Sequence, residues 1–183
     1  MANTVGRSIF CLLIGILPIV MPSAARADGC VRNTPAPLFA SGRQDIGAHA
    51  FSLQSDHEAV ERFQLASGTE VEVRHGGCEY IVTTLRLTSP ALFAKGYSAA
   101  QAYRSAAAAL QQLQGLHAAT NFDLPLAAAS LLRESGHPHP RLDRELRVRG
   151  DGETPLEAGV KIVSAGRRAG SGHIEVSLFR GPL

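Results

Sequence analysis

The stretch "VEVRHGGCEYIVTTLRL", residues 71 to 87, sets a histidine, two glycines, a cysteine, a glutamate and a tyrosine side by side. Three chemistries could use such a set. A free Cys78 thiolate with His75 as its base would be a nucleophile. His75 joined by further ligands would hold a metal ion. Two glycines followed by a cysteine also describe a tight turn stapled by a disulfide. The compartment decides among them, because a nucleophilic thiolate must be unpaired and exported cysteines normally pair.

The first residues, "MANTVGRSIFCLLIGILPIVMPSAARADGC", carry Arg7, an apolar run from Ile9 to Met21, and then Ala25-Arg26-Ala27. A charged head, a short apolar segment and an A-x-A site in that order form a secretory signal peptide. Pro18 interrupts the run, which falls short of the roughly 20 apolar residues of a spanning helix. Residues 1–27 are therefore expected to be cleaved, leaving no stable membrane span and a periplasmic or secreted chain. Cys11 leaves with the signal, so Cys30 and Cys78 remain and are expected to form a disulfide. Closing that loop stabilises a fold by about 4 kcal/mol in the chain-entropy model, a sufficient role without catalysis.

Charge narrows the partners. Taking Arg7 and Arg26 from the 18 basic residues leaves 16, equal to the 16 acidic ones. A formally neutral chain argues against nucleic acid or an anionic membrane as the main partner.

Two further groups could do chemistry. His137-Pro138-His139-Pro140 offers a candidate metal pair, since histidines bind Zn²⁺ or Cu²⁺. The third and fourth ligands are missing at any recognised spacing, and a polyproline-like course separates the directions of residues two apart. No cofactor is expected. The run "RLDRELRVRG" carries Arg141, Arg144, Arg147 and Arg149, whose planar guanidinium forks suit carboxylates and phosphates. One solvated strand face is the plainer reading. With His75 and Tyr80 these arginines make up the candidate binding surface. There is no G-x-S-x-G, H-E-x-x-H, phosphate-binding glycine loop or C-x-x-C, so no catalytic residue is assigned.

The elements that must position these groups follow from periodicity. Residues 28–56, rich in Pro, Gly and Asn, read as an irregular leader pinned by Cys30, with a strand at Ala48 to Leu53. Residues 57–183 read as a single domain. Phe63 and Leu65, then Val71 and Val73, then Ile81, Leu85 and Leu87 alternate with polar residues, which predicts a three-stranded antiparallel meander turning at Ser67-Gly68 and Gly76-Gly77. The opposite face of the third strand, Cys78, Tyr80, Val82 and Thr84, is too apolar to be left wet, and the leader is expected to cover it. From Ser98 to about Ala119 the period becomes helical, with Tyr103, Ala106, Leu110, Leu113 and His117 on one stripe and Ser98 and Gln101 at capping-box spacing. A shorter helix follows Asp123 and runs to about Glu134. "RELRVRG", "AGVKIVS" and "GHIEVSLFR" read as C-terminal strands.

The expected fold is α+β, an antiparallel sheet of the meander plus the C-terminal strands packed on one long helix, with one disulfide. The expected function is an exported, non-enzymatic binding module for a protein partner in the cell envelope, either an inhibitor or an accessory subunit. The alternatives are a small periplasmic hydrolase and a histidine-based metal-binding protein. The hydrolase requires carboxylate and histidine groups converging in a pocket.

Overall fold

Alternating apolar positions in the first half of the chain produce four consecutive strands rather than three. The computed structural model describes residues 30–40, 42–94, 96–148 and 157–182. In it β1 (Ile46–Leu53), β2 (Ala59–Leu65), β3 (Glu70–Gly76) and β4 (Ile81–Ser89) form an antiparallel meander. Two helices follow, α1 (Ala99–Gly115) and α2 (Leu124–Ser135). The chain closes with β5 (Leu146–Arg147), β6 (Glu157–Arg168) and β7 (Ser171–Gly181). The seven strands make one antiparallel sheet in the order β1-β2-β3-β4-β7-β6-β5, so the last strand returns to the middle beside β4. The signal reading of residues 1–27 and the candidate Arg149 lie outside the described residues.

Packing on one long helix is corrected: the sheet packs on both expected helices, α1 of 17 residues and α2 of 12. At its start α1 is as expected: Ser98 caps it, accepting from the Gln101 N–H at 3.2 Å. It ends earlier than Ala119, because His117 takes a left-handed conformation (φ +54). The N–H of Ala118 then bonds the Leu113 carbonyl and the N–H of His117 bonds that of Gln114, the paired closure of a Schellman motif. His117 is thereby turned out to solvent, and its expected place on the buried stripe is also corrected. Asp123 caps α2 by accepting from Leu126 N–H at 2.9 Å, with proline in the first turn.

Both helices cover one face of the sheet. Tyr103, Leu110 and Leu113 of α1 and Leu131 of α2 are buried with Val160 and Ile162 of β6 and Ile174 and Val176 of β7. The Tyr103 hydroxyl donates to the Arg141 carbonyl at 2.7 Å, so its polar end is satisfied. Among the described residues no element covers the other sheet face, as antiparallel sheets allow. There Glu72 accepts from Arg62 and Arg74, each at 2.8 Å, and Phe179 lies over Gly159, where a Cβ would meet its ring at 2.0 Å.

The leader covers the same face as the helices, over β2 to β4. Cys30 is bonded to Cys78 in the β3–β4 turn, and the described residues hold this one disulfide and two helices. Because the leader lies against Ile81 and Thr83, it leaves Tyr80, Val82 and Thr84 uncovered, reversing the expected side. The β3–β4 turn depends on Gly77: its φ is +93, and a Cβ there would stand 1.9 Å from the Tyr80 carbonyl oxygen. The stretch read as leader also contributes β1 to the sheet edge.

Candidate functional site

β2 points Ala59, Glu61, Phe63 and Leu65 at the covered face, and all four are buried. Three of them are ordinary core residues; Glu61 is a carboxylate with 0% exposure. A buried charge persists only when paired and hydrogen-bonded, and each oxygen of Glu61 is engaged. Oε2 accepts from the Leu38 N–H at 2.6 Å, and Oε1 accepts from the Phe39 N–H at 3.3 Å. His49 Nε2 stands 2.7 Å from Oε1. His75 Nε2 stands 3.7 Å from Oε2, past hydrogen-bond length but within ion-pair range, and has no other partner among the described residues.

Each histidine arrives by a different device. His75 continues the inward alternation of Val71 and Val73 along β3. His49 depends on a bulge: Gly47 pairs with Gln64 and Ala50 with Arg62, so Ala48 and His49 together oppose Phe63. Ala48 takes a positive φ of 48, and the extra residue shifts the alternation so that His49 lands beside Glu61. Burial pushes the Glu61 carboxyl up. The adjacent His75 ring, the Leu38 amide, the His49 ring and the Phe39 amide outweigh it and hold the carboxyl below the ordinary glutamate range.

Glu61 thus fastens the leader at one end, and the disulfide fastens it at the other. Between these points residues 31–38 form a strap, which Arg32 ties further by donating to the Gly76 carbonyl. Pro35 and Pro37 have no N–H to satisfy. The Leu38 carbonyl accepts from the Ala119 N–H at 2.7 Å, joining the strap to the segment after α1. Under the strap is a cleft of about 610 Å³, bounded by residues 31–38, by His75, Ile81 and Thr83 of the sheet, and by residues 119–122. Thr83 faces His75 in the β3–β4 register. Burial depresses the Arg32 guanidinium from its ordinary value.

Comparison with protein-family models, with curated proteins and with solved structures finds no match for this chain.

The residues named from sequence fall into three places. His75 lies on the cleft, and Tyr80 stands 39% exposed beside the disulfide turn, packed on Gly181. Arg141, Arg144 and Arg147 are distant from it in the fold, on the segment leading into β5 at the other sheet edge. Arg144 is occupied by the buried Glu134 of α2, with its Nη1 at 3.2 and 3.1 Å from the two carboxylate oxygens. Arg141 and Arg147 are exposed. His137 and His139 are exposed too, and among the described residues no group of three or more His, Cys, Asp or Glu could hold a metal ion. Glu61 and His49 carry no sequence motif. Glu61 could have been found by extending the Phe63 and Leu65 alternation backwards, while His49 depends on a bulge that no residue pattern announces.

Proposed function

We propose that this chain is an exported binding module without chemistry of its own, which holds a protein partner of the cell envelope at the mouth of the strap cleft. The observation that carries this reading is a cleft whose outer wall is an irregular segment fastened at both ends, by Cys30–Cys78 and by Glu61. Fixing a loop in advance lowers the ordering cost of binding. Val31, 62% exposed in the cleft wall, and Tyr80, 39% exposed in the adjoining disulfide turn, supply apolar contact. The disulfide is compatible with export, and among the described residues no helix is long and apolar enough to cross a membrane. The test is crosslinking in intact cells followed by mass spectrometry. One dominant envelope protein should be captured by the wild type and lost from a Val31→Asp, Tyr80→Ala double variant, while Arg62→Ala on the open face keeps it. No capture above an exported control overturns the reading.

One observation favours the hydrolase as a second reading: a buried carboxylate and a histidine converge at the cleft floor with a threonine paired opposite. Turnover of an ester or peptide panel that disappears in His75→Gln, with the melting temperature retained, would put it first.

A further inference from the structure

Resting on the binding-module reading, we infer that the strap cleft is a receptor for a single carboxylate group carried on a small apolar stem, with Arg32 as its recognition residue and His75 screening the acid behind the floor. Sign of charge is the first argument. Among the described residues no Asp or Glu lines the cleft, whereas Arg32 stands in its wall and His75 in its floor. Glu61, the acid behind the floor, is shielded from an incoming anion by His49, His75 and two backbone amides.

Geometry and solvation supply the second argument. The Arg32 guanidinium is held in place by its bond to the Gly76 carbonyl, so a carboxylate meets a fork whose position is already fixed. The buried His75 Nε2 is turned towards Glu61 Oε2, 3.7 Å away, so the ring stands between the cleft and the acid behind its floor. The neutral amides and hydroxyls of Asn33, Thr34, Thr120 and Asn121 add donors without adding charge, and Val31, Ile81 and Phe122 offer apolar contact for the stem. A volume of about 610 Å³ lies within the range of small-ligand sites. One guanidinium matches one negative charge better than a phosphate dianion.

A carboxylate on an apolar stem has two natural sources, a free organic acid and the C-terminus of a polypeptide. Both can be titrated into the full exported chain and followed by ¹⁵N chemical shifts: 3-phenylpropionate, and acetyl-Ala-Ala-Phe as the free acid, each beside its amide. Shifts at residues 31–38, His75 and 119–122 with the acids, and at least about tenfold weaker binding of the amides, are expected. If only the peptide acid binds, the source is a C-terminus; if both bind equally, it is a free acid. Arg32→Lys should weaken the acids several-fold and leave the amides unchanged, which a merely structural role for Arg32 would not do. Acids and amides binding alike, or neither binding, overturns the inference. In that case, partner capture that still depends on Val31 and Tyr80 leaves the binding module standing, and loss of capture as well removes both.

Discussion

Under α1 and α2 the sheet presents Val160, Ile162, Ile174 and Val176; under the leader it presents Glu61, His75 and Thr83 beside Ala59 and Val73. All are buried, so burial alone does not explain why one half is apolar and the other polar. The difference lies in what covers them. A helix satisfies its own backbone groups internally and needs only an apolar floor. A strap without regular structure brings its amides to the sheet unpaired, and a buried unpaired amide costs about 1–3 kcal/mol. Glu61 is the acceptor those amides require, and the two histidines are what keep a fully buried carboxylate tolerable. Polarity beneath the leader is thus a consequence of covering a sheet with irregular chain, and the cleft is the space left where that cover does not fill.

Removing the disulfide should separate the halves most clearly. A Cys30→Ser, Cys78→Ser variant should lose about 4 kcal/mol. Hydrogen exchange should rise first at residues 31–38, with Val160 and Ile162 remaining protected. Equal acceleration in both halves would show that they open as one unit and would break the comparison. Leu110→Ala, which leaves a hole between helix and sheet, should cost about 3 kcal/mol in urea unfolding and speed exchange in the helices before the strap.

Glu61→Gln should cost about 2 kcal/mol, because the amide group replaces an acceptor facing two N–H donors, and its effect should depend on pH. The carboxyl in the folded state titrates below its ordinary value. Its contribution is therefore fully present above the ordinary glutamate pKa of about 4.3 and is lost as pH falls through the lower folded value. Urea midpoints measured from pH 6 down to 3 should be flat and then drop in the wild type, with a shallower drop in the variant. Asp45 and Glu72 also titrate below their ordinary range, but they sit on the surface or partly exposed, where solvent screens them. The smallest effect belongs to the open face: Arg62→Ala should change stability by at most about 0.5 kcal/mol, and a larger loss would mean that this face is covered in the assembled protein.

The helical half was legible from residue patterns because a stripe at Tyr103, Ala106, Leu110 and Leu113 has one interpretation. The strands were legible for the same reason. What stayed hidden was the relation between elements: which face the leader would cover, and that β7 returns beside β4. Cys30 and Cys78 fix a meeting point without specifying a side, since Cys78 lies in a turn and the chain can leave it towards either face. Within the site, His75 was singled out for its neighbours Gly76 and Cys78, yet its position follows from being in phase with Val71 and Val73. Glu61 gave the corresponding signal, a charge in phase with Ala59, Phe63 and Leu65, and such a charge is informative because burying it demands partners.

The return of β7 to the middle of the sheet also governs the order of assembly. β1 to β4 pair with their chain neighbours, as do β5 to β7 among themselves, but the seam joining the two groups sets Ile81 opposite Arg180 and Ser89 opposite Gly172. Such distant pairing is slow, because the intervening chain must be ordered before the contact is gained. The meander and its disulfide can therefore form as soon as those residues are free to fold, while β4 waits with an unpaired edge until the last strand arrives. During that interval the exposed edge of β4 is the point at which a nascent chain is most open to pairing with another copy of itself.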